Sequence, residues 1–324
     1  MDHLIAAIDG GGTKTVFALA RTDGSVLGVG CGGPLNALFV PVEVARGSIR
    51  HAAMAALAEA GLERVRVDAL YASAPGAGEA IVTSALDGIV ESAAVEAAGD
   101  ELSTFIGAMG ERYGVVALAG TGSFATGFNR AGENATMGGW GPLLGDEGSA
   151  YQIGLNALKA ATRASEGREE PTILGKAILD EWSLESEREL VGASGSRDRV
   201  AGLARLVSEA AGRGDAVAIR ILAQAGRELG SLAGHVLTHL EMRGEGCPVA
   251  LAGGVSRAHP VLHAAFAQSI AEVDGSCSVV RPKFSPAFGA ILRAMEMAAS
   301  PGPLAHGTLE RLQHEAACRE LLSG

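Results

Sequence analysis

DGGGTKT, residues 9–15, directly follows an apolar run at 4–8, and AGTGS, residues 119–123, directly follows another at 115–118. In each, β-prone residues give way to glycines that tolerate positive φ and then to hydroxyl side chains able to donate to an anion. The chain makes one anion-gripping turn twice, and two such turns suit the two ends of a single polyphosphate. Their surroundings repeat as well. Residues 4–8, 15–21 and 26–30 read as three strands, with the glycine turn after the first and Thr22-Asp23-Gly24-Ser25 after the second. Residues 114–118, 123–129 and 135–138 read the same way, with a second turn at 130–133. Such a duplication predicts two similarly folded domains, 1–113 and 114–324, with each first turn pointing into a cleft between them.

The remaining pattern fits an α/β chain. Helical spacing at 42–60 stops at Gly61, residues 68–72 read as a short strand, and a weak strand-like run at 93–98 precedes a helical stretch at 101–109. Residues 150–244 are largely helical, an insertion with a break near 166–171 and a charged, glycine-dotted stretch at 183–199. Strands follow at 248–254 and 277–281, then a helix at 285–298 with Ser285 as cap and Pro286 in its first turn. A terminal helix within 303–324, amphipathic at 309–322, is expected to pack on the N-terminal domain.

Length and composition set bounds on function. A chain of 324 residues exceeds the usual single core, which again favours two domains, and 48 % hydrophobic residues can fill them. A formal net charge of -11, with Lys and Arg scattered, argues against nucleic acid or an acidic membrane as partner, because a polyanion needs a concentrated basic face. No basic segment leading into a long apolar stretch opens the sequence, so a cytoplasmic protein is expected. Cys31, Cys247, Cys277 and Cys318 are isolated from one another and from histidines, which predicts four buried or partly buried free thiols, not a zinc or iron–sulfur site.

Five places carry chemistry. Asp9 ends a buried strand, where an unpaired carboxylate is expensive, so it should meet a cation; Mg2+ bound to phosphates is the natural one. Gly11, Gly12, Thr13 and Lys14 form the first phosphate turn, although Lys14 sits in no GxxxxGK[ST] pattern and can equally be a solvated hairpin residue. Gly120 and Gly122 offer backbone amides and Thr121 and Ser123 hydroxyls for the second. In LAGGVS, residues 251–256, paired glycines let backbone lie flat against a planar ring; an ordinary strand-to-helix turn explains it as well. GGWGPLLGDEGSAY, residues 138–151, combines five glycines, Trp140 and the carboxylates Asp146 and Glu147, a mixture suited to a sugar, with a helix N-cap by Asp146 or Ser149 as the competing explanation. Phosphoryl transfer also needs a base for the acceptor hydroxyl. Asp100, between the weak strand and the following helix, is the candidate, and a plain N-cap is its alternative.

In this order the motifs resemble the phosphate-1, phosphate-2, sugar-loop and adenosine elements of the N-acetylglucosamine kinase and BadF/BadG/BcrA/BcrD ATPase family, within the sugar kinase, Hsc70 and actin superfamily. The resemblance implies two ribonuclease-H-like (actin-like ATPase) domains flanking a nucleotide and sugar cleft, ATP and Mg2+ as cofactors, and a homodimer. It implies Asp9 at the magnesium; Thr13, Lys14, Thr121 and Gly122 in the phosphate turns; and Gly253, Gly254 and Ser256 at the adenosine. The acceptor contacts it implies are Asn36, Asp100, Thr121, Gly139, Trp140, Asp146 and Ala150. Where the family shows Asn-Asp, this chain has Gly99-Asp100. The expected activity is ATP-dependent phosphorylation of an amino sugar, N-acetylglucosamine or glucosamine at the 6-hydroxyl. N-acetylmuramic acid and related hexoses stay open, as do two alternatives: an ATPase that activates a partner enzyme, and a non-catalytic sugar-sensing protein. The cysteine pair of the partner-activating members has no match, and eight residues ahead of Asp9 leave little room for a regulator's DNA-binding segment.

Overall fold

The computed structural model describes residues 3–299 and 306–319, so the ends of the expected terminal helix, 303–305 and 320–324, lie outside the described residues. The chain divides into two units, one drawn from Met1–Glu111 and Pro282–Gly324, the other Arg112–Arg281.

The first unit opens with β1 (Leu4–Gly10), β2 (Thr15–Arg21), β3 (Val26–Gly32) and α1 (Val42–Glu59). It continues with β4 (Val65–Val67), β5 (Ala69–Ser73), α2 (Glu79–Leu86), β6 (Val90–Ser92), β7 (Val95–Ala98) and α3 (Glu101–Met109). Its sheet runs β3-β2-β1-β5-β7; β1 to β3 are antiparallel and β5 and β7 run parallel to β1, while β4 and β6 pair separately. Strand β1 is apolar on both faces because both faces are covered. Its side chains alternate: Ala6 and Ile8 join Ile49, Ala53 and Leu57 of α1 in one core, and Ile5 and Ala7 point to the other.

The second unit contains β8 (Gly114–Ala119), β9 (Ser123–Phe128), β10 (Asn134–Gly138), α4 (Ala150–Ser165), α5 (Leu174–Trp182), the short α6 (Leu190–Ala193) and α7 (Arg197–Gly212). Then come α8 (Ala216–His239), β11 (Pro248–Ala252), α9 (Pro260–Val273) and β12 (Ser278–Val280). Its sheet runs β10-β9-β8-β11-β12, with the same pattern of antiparallel and parallel neighbours as the first. Both sheets thus have the ribonuclease-H-like order, and the duplication read from the turns extends to all five strands. The inserted helices form one core with the sheet, in which Leu222, Leu229 and Val236 of α8 meet Val115, Ala117 and Val249.

The chain then returns to the first unit through α10 (Pro286–Ala298) and α11 (His306–Ala317). Helix α10 begins as its sequence predicts, with Ser285 capping the Phe288 N–H and proline in the first turn. It buries Phe288, Ile291 and Met295 against Ile5, Ala7 and Tyr71. The segment from Pro282, expected in a continuous 114–324 domain, therefore belongs with the first unit. The reason is that the second apolar face of the first sheet needs a helix, and α10 supplies it. Helices α3 and α10 approach closely at Gly107 and Gly289: a Cβ on Gly289 would lie 1.9 Å from the Ser103 carbonyl oxygen. Gly289→Ala is expected to cost ~1–3 kcal/mol by overpacking, read as a lower denaturant midpoint; an unchanged midpoint contradicts this contact.

Of the cysteines, Cys247 is buried and Cys277 partly so, but Cys31 and Cys318 are exposed, which corrects the expectation of four sheltered thiols. Among the described residues no helix is long and apolar enough to cross a membrane.

Candidate functional site

In the first unit the Gly11 N–H donates to the Lys14 carbonyl at 2.9 Å and closes the turn, leaving Thr13 and Lys14 exposed. Gly10, Gly11 and Gly12 tolerate positive φ but do not adopt it. Space is what the turn requires: a Cβ on Gly10 would lie 2.5 Å from Leu35 Cδ1. Asn36 is drawn to the same place, its N–H donating to the Gly11 carbonyl at 3.2 Å. Its own Oδ1 accepts the Leu38 N–H at 3.1 Å, a local turn.

Asp9, at the end of β1, pairs in register with Ser73 of β5, and the Ser73 hydroxyl hydrogen-bonds its carboxylate. Behind Ser73, the Ser103 hydroxyl of α3 approaches the Ser73 oxygen at 2.8 Å, both side chains being fully buried. Because β7 lies beside β5, its continuation brings Asp100 to this edge as the residue before α3. Asp100 occupies the N-cap position yet makes no side-chain cap hydrogen bond. Its carboxylate is not consumed by the helix, which removes the competing explanation. Burial, with the neighbouring Glu101 adding to it, pushes Asp100 up to about 6. Burial and then Asp100 push Asp9 up to about 7, against the opposing pull of Lys14 and Ser73. Gly99 stands where a side chain would meet the Glu101 carboxylate, a Cβ there lying 2.0 Å from Oε2. Glu101 thus fills the place an asparagine at 99 would take.

In the second unit the predicted residues converge on the 119–123 turn. The Ala150 N–H donates to the Gly120 carbonyl at 2.9 Å, and the Gly139 N–H to the Ser123 carbonyl at 2.9 Å. The Ser123 hydroxyl donates to the Glu147 carbonyl at 2.7 Å, and the Ser123 N–H to Asp146 Oδ1 at 3.2 Å. Gly253 adjoins as well, with φ +90 and a hypothetical Cβ 2.5 Å from the Ala119 carbonyl oxygen. The Ser256 hydroxyl turns back to the Gly253 carbonyl at 2.6 Å, and Gly254 opens a 3-10 turn over Gly254–Arg257. Thr121 is partly exposed, and Trp140 is 74 % exposed on its loop.

Positive φ is concentrated in the sugar-type loop, at Gly138, Gly139, Gly141, Gly148 and also Asp146. A left-handed Asp costs about 1 kcal/mol, offset here by the bonds its carboxylate makes to residues distant in sequence. Asp146 is 3 % exposed and does not cap a helix; Ser149 caps α4 by accepting the Gln152 N–H. Instead the Asp146 carboxylate faces inward, to Ser123 and to Arg197 of α7, whose Nη2 lies 2.6 Å from Oδ2. Gly122 has no positive φ; a Cβ there would lie 2.8 Å from Asp146 Oδ1 and 2.9 Å from Arg197 Nη2. Three residues of these clusters escaped the sequence reading: Ser73, Ser103 and Arg197. Only the charged stretch at 183–199 pointed toward one of them.

Comparison with known proteins identifies relatives of the chain. Residues 7–294 match the BadF/BadG/BcrA/BcrD ATPase family. The sequence is 31 % identical over 298 residues to the N-acetylmuramic acid/N-acetylglucosamine kinase of Clostridium acetobutylicum, covering 90 % of this chain and 97 % of that one. It is 32 % identical over 195 residues to the N-acetyl-D-glucosamine kinase of Dictyostelium discoideum, covering 58 % and 61 %. A crystal structure from Chromobacterium violaceum, described as a candidate N-acetylglucosamine kinase, superposes with a TM-score of 0.74 at 26 % identity, over 92 % of this chain and 99 % of that one.

Proposed function

The chain belongs to the BadF/BadG/BcrA/BcrD ATPase family, and from that premise we propose that it is an ATP-dependent amino-sugar kinase. The acceptor is N-acetylglucosamine or glucosamine, phosphorylated at the 6-hydroxyl. One observation carries the mechanism: Asp100 stands at a helix N-terminus without capping it, so its carboxylate is left for chemistry. Asp100 accepts the acceptor hydroxyl's proton, and a carboxylate raised to about 6 is a stronger base than an ordinary one while still ionised at neutral pH.

Asp9 is the residue that would hold Mg2+. The fit is good, because two repelling, partly buried carboxylates favour a cation, and Mg2+ commonly takes one or two carboxylates together with phosphate oxygens and water. When bound, the ion neutralises charge on the phosphates. Gly12, Thr13 and Lys14 supply amides, a hydroxyl and a cation to phosphate while Gly11 closes the turn, and Thr121 and Gly122 supply a second set in the turn that Gly120 closes. Gly253, Gly254 and Ser256 serve the adenosine. Asn36, Gly139, Trp140 and Ala150 orient the sugar, with the exposed indole covering its apolar face. Asp146 stands with the sugar contacts and Ser123 with the phosphate ones, and the hydrogen bond between them also joins the loop to the turn.

The relatives' names support the acceptor class, and one adds N-acetylmuramic acid. The test is ADP release measured with N-acetylglucosamine, glucosamine, N-acetylmuramic acid and glucose, with the product's phosphate located by NMR. The expected result is ADP release that depends on an amino sugar and a phosphate ester at carbon 6. Sugar-independent ATP hydrolysis would point to the partner-activating ATPase instead, and no ADP with any sugar would point to a sensor.

A further inference from the structure

Arg197 begins α7, within the charged stretch that no motif explains, yet its guanidinium reaches the turn at 119–123. Its Nη2 meets Asp146 Oδ2 at 2.6 Å, with side-chain exposures of 22 % for Arg197 and 4 % for Asp146. The other carboxylate oxygen accepts the Ser123 N–H at 3.2 Å. Gly122 lies directly over this ion pair, with no room for a Cβ. The frame behind it is independent of the pair: the Ser196 hydroxyl caps α7, and α4 crosses α7 so closely that a Cβ on Gly154 would lie 1.9 Å from the Val200 carbonyl oxygen. Arg197 is thus held by one rigid element and grips a loop whose backbone is strained at Asp146, where φ is +61.

We propose that Arg197 is a positioning residue that acts through Asp146 to lock the sugar loop onto the second glycine turn, so that acceptor and phosphate contacts are set together. The inference rests on the kinase reading above. Without the guanidinium, a nearly buried carboxylate loses its charge partner and turns toward solvent. The Ser123 N–H then loses its acceptor, Gly122 loses the wall it packs on, and the loop carrying Gly139 and Trp140 is released at the same time. An ordinary structural ion pair would change stability alone, and a direct sugar ligand would change acceptor binding alone.

The test compares Arg197→Met, Arg197→Lys, Gly122→Ala and the double variant Gly122→Ala/Arg197→Met in steady-state kinetics, with MgADP affinity measured by calorimetry. Arg197→Met is expected to raise KM for the sugar and for ATP together, each by about tenfold or more, and to weaken MgADP to a similar degree, while Arg197→Lys recovers most of both. Gly122→Ala breaks the same contact from the other side, so the double variant should be no worse than the poorer single one. Unchanged KM values with a lowered melting temperature, a shift in sugar KM alone, or multiplicative effects in the double variant would overturn the proposal. If Arg197→Met is insoluble, Gly122→Ala decides it by the same joint shift, with Arg197→Lys expected to stay near the parent. If the parent protein releases no ADP with any sugar, the kinase reading fails, and unaltered MgADP affinity in the variants would separately sink the lock.

Discussion

Asp100→Asn is expected to lower kcat by about 10²- to 10⁴-fold, the usual contribution of a general base, while MgADP affinity stays within about threefold of the parent. The asparagine keeps the size and the N-terminal position on α3 but cannot accept a proton. The parent should also show a pH limb. A base works only when ionised, so at saturating MgATP, where the cation would hold Asp9 ionised, kcat/KM for the sugar rises with pH through about 6, where burial and Glu101 place the Asp100 carboxyl, and levels off above it. In Asp100→Asn this limb disappears from the residual rate. Turnover near the parent's value would remove Asp100 from the chemistry, and a persistent limb would assign the titration to another group.

Much of this site was legible because its cause is local. A strand followed by a glycine turn and a second strand, met twice, predicted two sheets of one topology, and both have the order it implies. Asp100 could be placed at a helix start from its neighbours alone, but whether its side chain capped that helix could not, since capping depends on a rotamer. What escaped depends on distant partners. Ser103 meets Ser73 across 30 positions and Arg197 meets Asp146 across 51, and no periodicity reports such pairings. The return of α10 was hidden for the same reason, because an amphipathic helix shows that it covers a face without saying which face. The glycines misled in a different way. Those of the two phosphate turns read as tolerance of positive φ, but Gly10 and Gly122 answer to Leu35 and to the Asp146–Arg197 pair. A missing side chain in the sequence does not distinguish a backbone that bends from a neighbour that intrudes.

Asp9→Asn is expected to do two opposite things, and their combination identifies the residue's role. Without nucleotide or metal it should stabilise the protein at pH 8. The folded-state carboxyl lies at about 7 against an ordinary 3.8, mainly through burial and then through Asp100. The folded protein therefore binds this proton more tightly than the unfolded chain does. The associated stability is complete below 3.8 and is lost as pH rises through 7. Above that, ionised Asp9 costs roughly 2–4 kcal/mol, which asparagine avoids. The melting temperature of the variant should exceed the parent's at pH 8, and the gap should close near pH 4. Adding MgADP should reverse the order, because a cation relieves the repulsion in the parent and finds no charge at position 9 in the variant. The same substitution should reduce kcat by about 10²–10³-fold, as when one fixed electrostatic partner of a developing charge is lost. A variant that is less stable than the parent at pH 8 without ligand would mean that Asp9 is satisfied within the protein, by Lys14 and Ser73, and that the strand end was not built for a cation.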